Sequence, residues 1–159
     1  MSTTGLKWAA IISFVVSMVV ILGGGLWAKD RLSPYPEKIV DSRNQVLVDR
    51  EEILAGQSVF QKHGLMDHGS VWGHGTLRGM DFSATTAHLV GEAMREFHAR
   101  QRHGKSFDTL TPEHQRNIRF DVIEEIKKNR YVNATGTLVL TDAQVRALEE
   151  VERFWDTEF

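Results

Sequence analysis

The sequence has no cysteine among its 159 residues. Without thiols, the chain forms no disulfide, binds no metal through thiolates and attaches no haem by thioether bonds, which require a C-x-x-C-H motif. Charged residues are absent between Trp8 and Ala28, and proline occurs only three times in the chain. The formal net charge of -2 leaves no excess of basic residues, so we expect no nucleic acid partner.

The uncharged run from Trp8 to Trp27 predicts one membrane crossing, which takes about 20 apolar residues. Tryptophan at both ends is typical of the aromatic belts of membrane proteins. A cleaved signal peptide is the alternative, but its apolar core has about 7–15 residues and ends in small residues. Because this run is longer and ends in Leu26-Trp27-Ala28, we predict an uncleaved anchor over residues 8–28 with the N-terminus inside.

Residues 29–48 are predicted to form a linker and a small hairpin. Ser33-Pro34-Tyr35-Pro36 is stiff because proline fixes φ. Ile39-Val40 and Val46-Leu47-Val48 flank a polar turn, which is the pattern of a hairpin. The remaining residues, 49–159, have the length of one domain.

Four helices are predicted within residues 49–159, so the fold class is mainly α. Each helix is expected to start at a side chain that accepts a hydrogen bond from the first turn: Asp49, Ser83, Thr111 and Thr141. Apolar residues three or four apart predict one buried face on each later helix: Met94 with His98, then Ile118, Val122, Ile123 and Ile126, then Val145, Leu148 and Val151. A second small hairpin is predicted around residues 131–140.

A long glycine-rich stretch from Gly64 to Phe82 has no helical or strand periodicity. We predict an ordered loop there, and loops of this length inside a compact domain are usually functional. Seven histidines invite a metal hypothesis, but their spacing matches no ligand motif. His74 is expected to bond backbone carbonyls. Asp67 and Asp81 either pair with Arg78 or remain solvated.

The block from Gly56 to Gly75, with Gly69-Ser70-x-x-Gly73-His74-Gly75 followed by Asp81-Phe82, resembles the N-terminal region of quinol-dependent nitric oxide reductases. That family begins with a transmembrane helix, continues with a haem-free cytochrome-c-like domain and ends in a large catalytic membrane domain. The resemblance implies a cytochrome-c-like fold without haem over residues 49–159. It also implies that quinol delivers electrons from within the membrane.

The cytochrome subunits of related reductases provide a comparison for the loop. Aligned with their haem motif, Leu65 and His68 fall at the cysteine positions, and Gly69 falls at the position of the histidine ligand. We therefore expect bulky side chains to fill the space of the porphyrin: Leu65, Met66, Trp72, Met80 and Phe82. A haem held by histidine without thioether bonds is a weaker alternative, as is a transition metal on the histidines.

The resemblance also implies which part of the enzyme this chain represents. Nitric oxide reduction needs haem b and a non-haem iron held by histidines on several transmembrane helices, whereas this chain has one candidate helix. We therefore expect no catalytic, cofactor-binding or metal residue in it, and a multi-helix catalytic membrane domain, fused or separate, as its partner. The expected location is the inner membrane, with the soluble domain on the periplasmic side.

Under this interpretation the glycine-rich loop docks on the catalytic domain and has a structural role. The residues expected to carry it are Gly69, Ser70, Trp72, Gly73, His74, Gly75, Asp81 and Phe82. The alternative is a stand-alone, membrane-anchored binding or sensor module. A docked domain should expose apolar or aromatic side chains, whereas a sensor should have a pocket with convergent polar groups.

Overall fold

The structure is a computed structural model that describes residues 3–29 and 35–159. The chain divides into two units, Met1–Tyr35 and Pro36–Phe159, which we describe separately. Ser33 and Pro34 of the predicted linker lie outside the described residues. About two thirds of the chain is helical, which confirms the predicted fold class.

The first unit contains one helix, α1 (Thr3–Lys29), which includes the whole predicted span of residues 8–28. Its 27 residues reach about 40 Å at 1.5 Å per residue, and none of them is buried. By length and composition, α1 can cross a membrane. Gly23, Gly24 and Gly25 face open space along it.

The second unit combines four helices with two small sheets. In chain order its elements are β1 (Lys38–Val40), β2 (Val46–Asp49), α2 (Arg50–Lys62), β3 (Ser70–Val71), β4 (His74–Gly75), α3 (Phe82–His103), α4 (Pro112–Lys127), β5 (Tyr131–Val132), β6 (Thr137–Val139) and α5 (Asp142–Glu158). Single turns of 3₁₀ helix lie at Leu65–Asp67 and Phe107–Thr109.

Both predicted hairpins are present, and the structure joins them into one sheet. The strand order is β2-β1-β6-β5, in which β1 runs parallel to β6 and the other pairs are antiparallel. Lys38 lies opposite Thr137, and Val40 lies opposite Val139. The hairpin that precedes residue 49 is thus hydrogen-bonded to a hairpin that lies almost 100 residues later.

Three of the four predicted helix starts are confirmed. The Asp49 carboxylate accepts the Glu52 amide at 2.9 Å in a capping box, and Thr111 and Thr141 cap α4 and α5. The prediction that Ser83 caps α3 is wrong. The cap is Asp81, whose carboxylate accepts the Ala84 amide at 2.8 Å, so the helix begins one residue earlier than Ser83.

The hydrophobic core lies among α3, α4 and α5. Its buried members include two small residues of α5, Ala143 and Ala147, where α5 packs closely on α3. Met94 and Ile118 are the two largest fully buried side chains. The remaining buried residues of this cluster are Ala99, Phe107, Leu110, Val122, Ala143 and Ala147.

A polar network ties the same three helices together. His98 of α3 is nine-tenths buried, and its Nε2 lies 2.7 Å from Oε2 of Glu125 on α4. The other oxygen of Glu125 accepts the hydroxyl of Thr141, the N-cap of α5. Since one carboxylate bonds to α3 and to the α5 cap, it fixes the relative positions of all three helices.

The predicted buried face of α4 is only half correct. Ile118 and Val122 are buried, but Ile123 and Ile126 are each 48% exposed. Successive residues are about 100° apart around a helix, so Ile123 points well away from the side that carries Ile118 and Val122. Apolar character alone does not separate these four residues, whereas their burial follows the helical period.

Candidate functional site

The glycine-rich loop contains a small hairpin that the sequence pattern did not reveal. Strands β3 and β4 pair through Ser70 with Gly75 and Val71 with His74. Trp72 and Gly73 form the two-residue connection, with φ of 53° and 75°. Positive φ at both central residues is typical of a type I′ turn, a conformation that a bulky side chain such as tryptophan rarely adopts.

Asp81 organises this hairpin from the start of α3. Its Oδ2 accepts the Ser70 hydroxyl at 2.6 Å and the Gly73 amide at 2.7 Å, while Oδ1 caps the helix through Ala84. The Ser70 hydroxyl, followed by the amides of Ala84 and Gly73, lowers the pKa of Asp81 below its ordinary value of 3.8, against partial desolvation. The structure therefore brings Ser70, Gly73 and Asp81 of the predicted site together around one carboxylate.

The expectation that Trp72 fills the space of a porphyrin is wrong. Trp72 is 79% exposed because it stands at the tip of the hairpin, where its backbone amide donates to the Ser83 hydroxyl at 3.2 Å. Met66 and Met80 are exposed too, so they also do not fill an interior space. Leu65 is half-buried.

Phe82 packs as predicted, and its neighbours are aromatic residues that the sequence reasoning missed. Its ring lies 5.8 Å from that of Phe60, 5.6 Å from that of Trp155 and 6.3 Å from that of Phe159. The Trp155 indole nitrogen donates to the Thr86 hydroxyl at 3.1 Å. This cluster joins the ends of α2, α3 and α5; the only signal for it in the sequence is the presence of aromatic residues near those helix ends.

The other predicted loop residues occupy backbone positions. Gly69 is buried, and its carbonyl accepts the Thr76 amide at 3.0 Å. Gly75 has a φ of 138°, a conformation that residues with a side chain rarely adopt. The predicted role of His74 is wrong, because its side chain is exposed and makes no hydrogen bond among the described residues. Arg78 likewise forms no ion pair with Asp67 or Asp81 there.

The histidines of the described residues are not gathered around a common point. No group of three or more His, Cys, Asp or Glu that could hold a metal occurs in residues 3–29 and 35–159. Two histidines stack on each other, His103 and His114, with ring centroids 4.3 Å apart. Nearly parallel rings do not aim their nitrogen lone pairs at one point, so this pair is a poor chelate.

A covalently bound haem does not fit these residues. The chain offers no thiol for attachment, and Gly69, at the position of the axial histidine, has no ligating atom. Phe82, which directly follows the loop, is instead covered by the rings of Phe60, Trp155 and Phe159. Mostly helical packing with this altered loop defines the class, which is a cytochrome-c-like domain that lacks the residues for haem attachment.

The comparison with known families agrees with this class. Residues 36–159 match the family of the NorB cytochrome c-like domain of nitric oxide reductase. The chain belongs to that family, and the predicted resemblance to the N-terminal region of these reductases is confirmed. No match was found among curated proteins.

Proposed function

We propose that this chain is the non-catalytic anchoring and capping part of a quinol-dependent nitric oxide reductase. The chemistry, reduction of nitric oxide to nitrous oxide, belongs to haem b and a non-haem iron in a multi-helix catalytic membrane domain. The observation that carries the proposal is a family domain of this reductase in a chain without cysteine. Such a domain has no covalently held haem to pass electrons on, whereas quinol supplies them from within the membrane.

Helix α1 supports the membrane part of this proposal. Its 27 residues exceed the roughly 20 that a span requires, and Trp8 and Trp27 lie near its ends. We place it in the inner membrane with its N-terminus inside, so that residues 36–159 lie on the periplasmic side. There the domain covers the outer face of the catalytic part, where a cytochrome would deliver electrons in the related enzymes.

The β3–β4 hairpin supports the docking part. Asp81 and Ser83 hold the backbone on either side of Trp72 in a strained conformation, with the indole directed outward. Strain of this kind persists where the surroundings enforce it, often at binding sites. Trp72 and the 97% exposed Leu77 provide the apolar contact, since tryptophan is prominent among the residues that dominate protein interfaces.

The alternative, a stand-alone sensor, finds less support in the pockets. The largest groove encloses about 890 Å³ between α3 and α5, and charged side chains line much of it. Those charges are paired locally: Glu96 bonds Arg100 at 2.7 Å, and Arg146 bonds Glu150 at 2.7 Å. They satisfy each other across the surface and do not converge on a ligand.

Purification from the native membrane in mild detergent tests the proposal. We expect a multi-helix protein with b-type haem bands to accompany or include this chain, and nitric oxide reduction to proceed with a quinol donor. Reduced cytochrome c, as the control donor, should not support the reaction. A lone small protein without a chromophore, or an enzyme driven only by cytochrome c, would contradict the proposal.

The docking loop has its own test in amide exchange. In the assembled enzyme, the amides of residues 72–77 should exchange more slowly than in the chain expressed alone. Residues of α2 around Leu54, which is 42% exposed, provide the comparison because they lie outside the proposed contact. Equal exchange of the loop in both preparations would show that the hairpin does not dock.

A further inference from the structure

We propose that the outer face of α4 lies on the surface of an anionic lipid bilayer. The inference rests on the membrane anchor of the proposed function but concerns a different surface from the docking loop. The α4 outer face consists of Arg116, Phe120, Ile123 and Lys127. At about 100° per residue, these four side chains fall within roughly 60° of the helix circumference, opposite the buried Ile118 and Val122.

The apolar residues of this face have no place in the core. Phe120 is 64% exposed and Ile123 is 48% exposed, although α4 already buries Ile118 and Val122 on its other side. An exposed phenylalanine beside an isoleucine extends the apolar surface of the helix outward, and Ile126 adds to it on one flank. Contiguous exposed apolar surface of this kind usually marks a contact with a partner or a membrane.

The charges around this face identify the partner. Arg116, Arg119, Lys127 and Lys128 are all exposed, and none of them forms an ion pair within residues 35–159. A helix with bulky apolar residues beside unpaired lysine and arginine is the pattern of helices that lie in the lipid interface. Its positive charge complements anionic headgroups, whereas lysine is depleted in protein interfaces.

The covalent connection keeps the domain close enough for this contact. Six residues, 30–35, join the end of α1 at Lys29 to the second unit at Pro36. Even a fully extended chain of that length spans only about 25 Å. A compact domain of this size has a radius of gyration of about 14 Å, so it must stay beside the bilayer that holds α1.

Site-directed spin labelling of the full chain in lipid nanodiscs tests the inference. Because the chain has no cysteine, Ile123→Cys creates a unique site for a nitroxide label. Leu54→Cys on α2 is a matched control, since Leu54 is a similarly exposed apolar residue, but acidic Glu51 and Glu52 precede it. The measurement is the accessibility of each label to oxygen, which concentrates in lipid, and to a water-soluble nickel chelate.

In nanodiscs with a third of phosphatidylglycerol, we expect the Ile123 label to show a several-fold higher ratio of oxygen to nickel accessibility than the Leu54 label. Each basic residue near an anionic surface strengthens contact about fivefold. Arg116→Gln with Lys127→Gln should therefore weaken it on the order of 25-fold and return the label to water. The same variant in pure phosphatidylcholine, where little contact is expected, is the control.

Two results would overturn the inference. Equal water accessibility of both labels in anionic nanodiscs would show that the α4 outer face is free. Shielding of the Ile123 label from oxygen and nickel alike would show that protein, either a second copy or another subunit, covers it. Failure of the chain to incorporate into nanodiscs would instead count against α1 as an anchor, so the two proposals fail separately.

Discussion

Two parts of the second unit keep their order by different means. The helical core of α3, α4 and α5 buries side chains such as Met94, Ile118 and Ala147 almost completely. The α2–loop segment, residues 50–81, buries only Gly69 and Ser70, although it is rich in apolar residues. Several of these apolar side chains are exposed: Leu54, Val59, Met66, Trp72, Leu77 and Met80.

The contrast shows where this fold obtains its stability and where it leaves surface for others. A 13-residue helix such as α2 is marginal alone, and here its main tertiary support is the aromatic contact from Phe60 to Phe82 and its packing near β2. The loop is held by hydrogen bonds to Asp81 and by close backbone packing at its glycines. We infer that the core determines the global stability, while the α2–loop segment determines a local shape.

The largest expected effect is in the core. Ile118→Ala should lower the free energy of unfolding by about 2–5 kcal/mol, because it removes a fully buried side chain and leaves a cavity. Ile123→Ala, on the same helix but half exposed, should change the free energy of unfolding by no more than about 0.5 kcal/mol. Urea unfolding of both variants measures this, and equal losses would refute the boundary of the core on α4.

The next effect belongs to the loop and depends on a backbone contact. A Cβ at Gly79 would overlap the carbonyl oxygen of His68, which is backbone and cannot move aside. Gly79→Ala should therefore cost about 1–3 kcal/mol and speed amide exchange across the hairpin. Gly91→Ala on α3 meets open space, so it should be neutral or stabilise by up to about 1 kcal/mol. Equal protection of the hairpin in both variants would contradict the contact.

The sequence predicted the core better than the loop for a physical reason. Helix periodicity and capping are local signals, and they located four helices and the capping role of Asp49, Thr111 and Thr141. The position of Trp72 depends on a two-residue turn whose positive φ values follow from hydrogen bonds to Asp81 and Ser83, about ten residues later. The parallel pairing of β1 with β6 is equally non-local, so no local pattern announces it.

A smaller and more local effect is expected at Asp81. Asp81→Ala removes all acceptors for Ser70, Gly73 and Ala84, so their amides or hydroxyl lose a partner and the melting temperature should fall by several degrees. Asp81→Asn keeps one oxygen, and we expect it to retain the helix cap at Ala84 while the Gly73 amide loses protection. Amide exchange at Gly73 and Ala84 distinguishes these results. Unchanged protection at Gly73 in both variants would show that Asp81 does not hold the hairpin.

The smallest effect separates the two regions by pH. The Phe107 amide, which donates to Glu96 at 2.9 Å, and then Arg100 and Ser106 lower the pKa of Glu96 below its ordinary value of 4.5, against desolvation. Asp81 has a lowered pKa in the loop. A carboxyl whose pKa is lower in the folded state stabilises the fold above its unfolded pKa, and this contribution disappears as pH falls through the folded pKa.

We therefore expect both regions to keep full protection at neutral pH and to loosen only below about pH 4. The Gly73 amide reports protonation of Asp81, and the Phe107 amide reports protonation of Glu96. In Glu96→Gln, the Phe107 amide should lose its acid response while the Gly73 amide keeps it. If Gly73 lost its response as well, the loop and the core would titrate as one cooperative unit, and the separation between them would be wrong.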